Sequence, residues 1–232
     1  PHSTGLSTID YLIADPIVCP PENDHLCTEQ VYRLPEHCVF CYPVQEHYPA
    51  YQVPAEPSEV IVFGSFNNLT KVNAHTLQLW VKLLHAIPQA HLHLKTPSFT
   101  DKASIELFYA DFMAQGIARE RLHFTGPCGL DEMMTEYLKM DIALDPIPYN
   151  GGTTSMQALW MGVPIISLAG DNFCGRMGAS IMHYAGLDDW VATTEDEYID
   201  IAKQKAECPI QLRALKAGLR DHLRQTPLFD NQ

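Results

Sequence analysis

A pair of adjacent glycines followed by hydroxyl residues offers the clearest site chemistry in this chain. The segment Gly151-Gly152-Thr153-Thr154 follows a predicted strand and opens a predicted helix. Glycine lets the backbone approach a ligand closely because no Cβ obstructs it. The start of a helix adds free N–H groups and the positive end of the helix dipole, which together favour a phosphate or diphosphate. An ordinary capped helix after a loop is the simpler explanation of this pattern taken alone.

A second loop, from Gly64 to Lys71, carries a glycine, two asparagines and a single lysine directly after another predicted strand. A lysine ammonium is a mobile point charge that can stabilise a departing diphosphate. Taken alone, Lys71 also fits a solvated residue beside a turn. Because loops that follow parallel strands meet at one edge of a sheet, we expect Lys71 and the glycine pair to share a diphosphate site.

The elements that position these loops alternate between strands and helices. Predicted strands cover 60–63, 91–94, 122–124, 142–144 and 164–167; predicted helices cover 73–84, 103–115, 131–139, 154–161 and 173–184, and the chain from Thr194 onward is also helical. The strand at 60–63 is continuously apolar, as expected when both faces of a strand are covered. Strands that alternate with helices in this way predict an α/β fold with a parallel, doubly wound sheet.

The first fifty residues are less regular. Ile9–Ala14 is predicted as a short buried strand and Cys38–Tyr42 as another. The segment from Tyr48 to Ser58 contains three prolines and little periodicity, which is typical of a linker.

Composition limits the classes of function. The formal net charge of −13 and the absence of a basic run argue against nucleic-acid binding. The seven cysteines are odd in number and scattered, which indicates reduced thiols and a cytoplasmic location. No apolar run is long enough to cross a membrane, and residues 1–4 do not form a signal peptide. The sequence therefore predicts a globular protein that is not associated with a membrane.

Several cysteines and histidines could instead be ligands of a metal ion. Cys38 and Cys41 are spaced as in many zinc sites, but no second pair stands at suitable spacing, so two thiols on an apolar strand are favoured. His91 and His93 share one face of a predicted strand without a third ligand, which favours a polar strand face. We therefore predict no metal site.

At this point a family resemblance is visible. The sequence resembles bacterial SPINDLY-like members of glycosyltransferase family 41, the O-linked N-acetylglucosamine transferase family. The motifs that carry it run nearly from end to end: 3–11, 31–35, 63–71, 141–146, 150–154, 158–164, 170–173 and Arg176. So long an ordered series is more specific than any single glycine motif.

The resemblance implies a GT-B fold and an inverting, metal-independent transfer of N-acetylglucosamine from UDP-GlcNAc to a Ser or Thr hydroxyl of a protein acceptor, without a cofactor. Lys71 then contacts the donor phosphates as the catalytic residue. Asn68 occupies the position of a nucleotide-contacting glutamine. Gly151, Gly152, Thr153 and Thr154 match the helix start that binds the diphosphate.

Two positions depart from the family pattern. Met133 stands where members often carry a base-stacking histidine, and Gln157 stands where a ribose-contacting carboxylate is expected. Gly152 stands where animal members have a histidine, a position at which bacterial relatives commonly vary. Met133 can still contact a base and Gln157 a ribose hydroxyl, but the identity of the nucleotide stays open.

The resemblance also implies a domain division. Residues 1–50 are expected to end an N-terminal Rossmann-like lobe, 51–58 to form a linker, and 59–232 to form the C-terminal nucleotide-sugar-binding lobe. In the family, tetratricopeptide repeats, most of the first lobe and the proposed general base precede the region that matches Ser3. We therefore expect the sequence to be part of a longer protein, and we assign no general base within it.

Three alternatives stay open. The chain could be a catalytically degenerate lobe that binds a sugar nucleotide as a scaffold, or part of a GDP-fucose-dependent O-fucosyltransferase. A dinucleotide-dependent oxidoreductase is the weakest, because no G-x-G-x-x-G motif with an acidic ribose partner follows a strand. The oligomeric state is not predicted.

Overall fold

A computed structural model describes residues 3–55, 58 and 60–229. The predicted domain boundaries at residues 1, 59 and 232 and part of the predicted linker, residues 56 and 57, lie outside the described residues. The strands are β1 (Tyr11–Ala14), β2 (Gln30–Arg33), β3 (Val62–Ser65), β4 (His91–Lys95), β5 (Leu122–Thr125), β6 (Ile142–Leu144), β7 (Ile165–Leu168) and β8 (Val191–Ala192). The helices are α1 (Ala74–Ala86), α2 (Lys102–Ala114), α3 (Leu130–Glu136), α4 (Thr153–Trp160), α5 (Phe173–Tyr184), α6 (Glu195–Ala206) and α7 (Pro209–Leu223).

Six of these strands form one parallel sheet in the order β5-β4-β3-β6-β7-β8. The chain starts in the middle at β3, builds outward through β4 and β5, and then returns to add β6, β7 and β8 on the other side. The order therefore reverses between β3 and β6. Ligands of open α/β sheets bind at this reversal, outside the carboxyl ends of the strands. The predicted α/β class with a parallel sheet is confirmed.

Helix α1 shows why these residues fold as they do. Asn73 precedes the helix, and its side-chain oxygen accepts a hydrogen bond from the Thr76 N–H at 2.8 Å. Such a cap satisfies one of the N–H groups that a helix start leaves without a partner. Leu83 and Leu84 follow Trp80 by one helical turn, and all three side chains are fully buried in the main hydrophobic core. The periodic apolar positions thus form the buried face of the helix.

The first part of the chain forms a separate two-stranded parallel sheet from β1 and β2. The strand predicted at Cys38–Tyr42 is wrong, because this segment is irregular. Two of its N–H groups bond to groups far away in sequence: Val39 N–H donates to Asp15 Oδ2 at 3.0 Å, and Tyr42 N–H donates to Leu228 O at 3.0 Å.

Asp15 connects the part of the chain that contains β1 and β2 to the six-stranded unit. Its carboxylate is fully buried; Oδ1 accepts from the Val18 N–H at 2.9 Å, and Oδ2 accepts from Ser180 Oγ of α5 at 2.7 Å. An apolar cluster surrounds this contact and combines residues from both parts: Ala14, Val18, Cys19, Phe173 and Met177. Burial of the carboxylate is tolerated because donors surround it.

Helix α7 holds the irregular segment around Tyr48 and Pro49 in place. Arg220 is buried, and its guanidinium donates to Trp160 O at 2.8 Å, Tyr48 O at 2.8 Å and Pro49 O at 2.9 Å. One side chain thereby satisfies three carbonyl groups of two separate segments. In the described part of the chain, no helix combines the length and apolarity needed to span a bilayer.

Candidate functional site

The loops after β3 and β6 meet at the point where the strand order reverses. Lys71 ends a short 3-10 turn, Leu69–Lys71, and its Nζ donates to the carbonyl oxygen of Asn150 at 2.8 Å. The same Nζ lies 4.1 Å from the centre of the Tyr149 ring, a cation–π distance. The structure thus places the lysine directly beside the residue that precedes the glycine pair.

Two opposing effects act on the Lys71 ammonium. Partial burial of the ammonium lowers its pKa below the ordinary value, and the nearby Asp145 carboxylate counteracts part of this decrease. Burial disfavours the charged form because it removes water, and a negative charge favours it. Lys71 therefore supplies a positive charge to a region that water only partly screens.

The start of α4 has no side-chain cap. Gly152 stands at the cap position, and no side-chain cap hydrogen bond forms there among the residues that the structure describes. The hydroxyl residues that follow differ in their environment, since Thr153 is exposed and Thr154 is half-buried. A helix start with open N–H donors and a positive dipole end is suited to hold an anion.

A hydrogen bond connects this helix start to the other loop. Thr154 Oγ1 donates to Asn67 Oδ1 at 2.9 Å, and the Asn67 side-chain amide donates to Ser65 Oγ at 3.2 Å. Asn67 is buried, whereas its neighbour Asn68 is exposed. The asparagine that joins the two loops is thus Asn67, which the sequence analysis did not assign to the site.

Asp145 lies beneath the turn at the end of β6. Its carboxylate accepts from the Gly151 N–H at 3.0 Å, from Ser155 Oγ at 3.1 Å and from Ser167 Oγ at 2.8 Å. Burial raises its pKa to about 6, although these three donors and Lys71 act in the opposite direction. A carboxylate therefore holds the first glycine, the first turn of α4 and strand β7 together.

Asn150 fixes the rest of the loop and is fully buried. Its side-chain amide donates to Pro146 O at 3.1 Å, and its Oδ1 accepts from the Gly178 N–H of α5 at 3.2 Å. Its backbone N–H donates to Cys174 O at 3.1 Å. The position of the Asn150 carbonyl group, which accepts the hydrogen bond from Lys71 Nζ, is thus fixed by bonds of Asn150 to Pro146 and to α5.

The remaining predicted site residues lie in different environments. The Asn68 side chain accepts from the Thr70 N–H at 3.0 Å and begins the turn that leads to Lys71. Met133 is half-buried on α3 and packs against the main core. Gln157 is buried; its amide donates to Tyr42 Oη at 3.2 Å, and its Oε1 accepts from Tyr137 Oη at 3.5 Å. The structure brings Lys71 and the helix start together but places Gln157 inside the protein.

The polar residues considered as metal ligands have other partners. The buried Cys38 thiol lies 3.3 Å from Ser180 Oγ, while Cys41 is exposed. His93 is buried, with Nε2 3.0 Å from Thr125 Oγ1, and burial lowers its pKa to about 4. Within the described ranges, no group of three or more His, Cys, Asp or Glu residues is placed to hold a metal ion.

The larger cavity among the described residues lies away from the two loops that carry the candidate site residues. A cavity of about 350 Å³ lies between α6 and α7, where Leu187, Leu212 and Trp190 line it. It shares no residue with the two loops. The space between the loops is only about 10 Å³, and Asn67 and Thr154 are among the side chains that line it. A ligand at the two loops is therefore expected to lie over the helix start and not beneath it.

Comparison with known proteins identifies relatives of this chain. The model of glycosyl transferase family 41 matches residues 46–232. A protein of Petunia hybrida named as a probable UDP-N-acetylglucosamine--peptide N-acetylglucosaminyltransferase SPINDLY is 35% identical over 231 residues, which are 99% of this chain and 25% of that protein. A rice protein of the same name is also 35% identical, over 100% of this chain and 25% of that protein. The chain spans about a quarter of the length of these curated relatives.

Solved structures agree on the fold. A mutant of the Thermobaculum terrenum O-GlcNAc transferase superposes with a TM-score of 0.89 at 37% identity, covering 96% of this chain and 42% of that one. Sucrose-phosphate synthase from Thermosynechococcus elongatus superposes with a TM-score of 0.62 at 16% identity, covering 97% and 55% of the two chains. At that identity the second similarity shows the fold alone.

Proposed function

This chain belongs to glycosyltransferase family 41, and we propose that it forms the donor-binding part of a protein O-glycosyltransferase. The proposed reaction transfers N-acetylglucosamine from UDP-GlcNAc to a Ser or Thr hydroxyl of a protein, with inversion at the sugar carbon. The names of the plant relatives and of the T. terrenum enzyme support this donor and this type of acceptor.

One observation carries the proposal for the site. An uncapped helix start and a half-buried lysine meet where the strand order reverses, which is where α/β sheets bind their ligands. The lysine contributes a full charge, and the helix start contributes aligned N–H donors. Lys71, Thr153 and Thr154 are therefore the residues that we assign to the donor diphosphate.

The chemistry follows from where charge develops. As the bond between the sugar carbon and the diphosphate oxygen breaks, negative charge builds on the diphosphate. A positive charge that is already in place stabilises this charge most strongly in the transition state, which accelerates the reaction. Lys71 and the start of α4 can fill this role without a metal, and metal independence stays a prediction. The base that receives the acceptor hydroxyl proton is expected in another part of the enzyme.

A cytoplasmic location is part of the proposal. None of the seven cysteines, all of which lie in the described ranges, forms a disulfide. Proteins of reducing compartments keep their thiols in this state.

Thermal shift measurements with UDP, GDP and NADH test the proposal. A ligand that binds only the native state raises the melting temperature, and the rise grows with ligand concentration. We expect stabilisation by UDP and none by NADH. Stabilisation by GDP alone would instead favour the GDP-fucose alternative. No response to either nucleoside diphosphate would contradict a donor-binding function.

A non-catalytic scaffold is the second candidate function. The buried position of Gln157, bonded to Tyr42 and Tyr137, favours it, because this side chain is not presented to a ribose. Assays of sugar hydrolysis and of peptide transfer by the longer parent protein distinguish the two functions. A scaffold binds UDP but shows neither activity.

A further inference from the structure

The Asp145 carboxylate is the centre of a hydrogen-bonded cluster beneath the glycine turn. One oxygen, Oδ1, accepts from both the Gly151 N–H at 3.0 Å and Ser155 Oγ at 3.1 Å. The other, Oδ2, accepts from Ser167 Oγ at 2.8 Å. Oδ1 thus joins Gly151, the residue before the Gly152 cap, to the first turn of α4, and Oδ2 fixes the carboxylate to the sheet.

The surrounding backbone is shaped to admit this carboxylate. A Cβ at Gly151 would lie 2.9 Å from Asp145 Oδ1, and a Cβ at Gly178 would lie 2.2 Å from Asp145 Oδ2. Side chains at either position would occupy the space of the carboxylate or of its serine partners. Two separate segments of the chain are therefore glycine where they face Asp145.

Burying this group is costly, since Asp145 is 1% exposed. None of the ion pairs among the described residues includes it. An apolar residue at the end of β6 would fill the space without removing a carboxyl group from water. What an apolar residue cannot do is accept the hydrogen bonds of Gly151 and Ser155.

We propose that Asp145 is the positioning residue of the donor site: through Gly151 and Ser155 it holds the first turn of α4 in the orientation in which the N–H groups of that turn face the diphosphate. This inference rests on the proposed function, because the ligand is the diphosphate of the donor. Asp145 itself does not contact the ligand. It acts through the backbone that does.

Two substitutions separate the hydrogen bonds from the negative charge. In Asp145→Asn, the amide oxygen can still accept from Gly151 and Ser155, and the amide N–H can donate to Ser167 Oγ, since a hydroxyl also accepts. In Asp145→Ala all three bonds are lost. We expect UDP to bind Asp145→Asn within roughly threefold of its wild-type affinity, and Asp145→Ala at least about tenfold more weakly, because an unmade hydrogen bond to a buried group is costly.

Asp141 provides a matched control at the opposite end of the same strand. Its carboxylate accepts from the Val62 N–H at 2.9 Å and from Lys216 Nζ at 3.0 Å. Asp141→Ala is expected to lower the melting temperature while leaving the dissociation constant of UDP unchanged. A general loss of stability is thereby distinguished from a displaced helix start.

Ser155→Ala keeps the proposal testable if Asp145→Ala does not fold. It removes one bond to the helix start and leaves the carboxylate and its other two bonds in place. We expect UDP to bind this variant roughly threefold to tenfold more weakly, as one hydrogen bond predicts.

Isothermal titration of each folded variant with UDP decides between the outcomes. Weaker binding by Asp145→Ala or Ser155→Ala, with recovery in Asp145→Asn, supports the positioning role. Wild-type affinity in Ser155→Ala and Asp145→Ala overturns that role and leaves the donor function intact. If the wild-type chain itself binds neither UDP nor GDP, the proposed function fails, and the positioning role fails with it.

Discussion

At the scale of single residues, the site depends on two charges of opposite sign that lie close together. Lys71 is half-buried above the loop, and Asp145 is fully buried beneath it. The lysine charge favours ionisation of the carboxylate, and the carboxylate favours protonation of the lysine. Substitution of either residue is therefore expected to alter the pKa of the other.

Substitution of Lys71 tests its chemical role. Lys71→Ala is expected to lower kcat of the longer parent enzyme at least about a hundredfold, because a charge that stabilises the leaving group is worth several kcal/mol in the transition state. The melting temperature should change little, since the substitution removes one hydrogen bond and one ring contact among the described residues. Lys82→Ala, which removes an exposed ammonium paired with Glu195, is the control. Wild-type kcat in Lys71→Ala would exclude the assigned role.

The buried Asp145 carboxyl predicts how stability depends on pH. Its pKa in the folded protein, about 6, is raised above the ordinary value of 3.8. An acid whose pKa is raised by folding binds its proton more tightly in the folded state than in the unfolded state. The contribution of Asp145 to the free energy of unfolding is therefore fully present below about pH 4 and is lost as the pH rises through about 6.

The Asp145→Asn variant has an uncharged side chain at position 145 at every pH, so its free energy of unfolding does not include this decrease with rising pH. Between about pH 4 and pH 7.5, the free energy of unfolding of the variant is expected to rise by roughly 2 kcal/mol relative to the wild type. Urea denaturation at several pH values measures this difference. A difference that does not depend on pH would show that Asp145 does not titrate in this range.

At the scale of elements, the turn between β6 and α4 contains two glycines with different surroundings. A Cβ at Gly151 would lie 2.1 Å from Ser155 Oγ, inside the hydrogen-bonded cluster of Asp145. A Cβ at Gly152 would lie 3.0 Å from Met177 Cε, the end of a flexible side chain. The first glycine is therefore required by close packing, while the second has a neighbour that can move.

This contrast gives a paired prediction. Gly151→Ala is expected to destabilise the fold by about 1–3 kcal/mol, as overpacking does, and to weaken UDP binding. Gly152→Ala is expected to cost less than about 1 kcal/mol, because the methionine can adopt another rotamer. Chemical denaturation and UDP titration of both variants measure the two effects. Equal losses in both variants would contradict the steric explanation.

The α/β elements could be predicted from sequence because their signals are local. Strand β3 begins inside the continuous apolar run at 60–63 and extends two residues beyond it, and α1 has both a cap at Asn73 and a buried stripe. The strand predicted at Cys38–Tyr42 is wrong because its hydrogen-bond partners, such as Asp15 and Leu228, are distant in sequence. Strand β2, Gln30–Arg33, cannot be recognised from the sequence, because four residues without a clear alternation become a strand only by pairing with β1.

The candidate site could be predicted only in part. Lys71 and the helix start follow from residue types placed after strands. The prediction of Asn68 in place of Asn67 is a different matter, because a sequence does not show which of two adjacent amides points inward. Asp145 is the first residue after β6, a position at the ligand-binding edge that could have drawn attention to it. Its hydrogen bonds to Ser155 and Ser167 depend on tertiary structure.

At the scale of the whole molecule, α7 holds the chain segment that leads into the six-stranded unit. Arg220 is buried and donates to carbonyl groups of Tyr48, Pro49 and Trp160. Lys216, also buried, donates to Met140 O at 2.6 Å, and its Nζ lies 4.4 Å from the centre of the Tyr51 ring in the same segment as Tyr48 and Pro49. A segment with little regular structure is thus held by two cations of one helix.

A pair of arginines one turn apart tests this function of α7. Arg220→Ala leaves three carbonyl groups without their donor, two of them in buried contacts, and is expected to cost about 3 kcal/mol or more. Arg224 is 40% exposed and forms ion pairs with Glu46 and Asp221, so Arg224→Ala should cost less than about 1 kcal/mol. Thermal denaturation of the two variants compares them. Similar small losses would mean that α7 does not anchor the segment.

The contact of Lys71 with Asn150 O and the Tyr149 ring also has an entropic consequence. A lysine side chain that is free in solution loses up to about 2 kcal/mol of rotamer entropy when a ligand immobilises it. Lys71 has already lost this freedom on folding, since its ammonium is held at 2.8 Å from a carbonyl oxygen that is itself fixed. An ammonium has three donor hydrogens, so the bond to Asn150 does not prevent another to a phosphate oxygen. The protein thus preorganises its charge, and a diphosphate is bound without the cost of ordering the side chain.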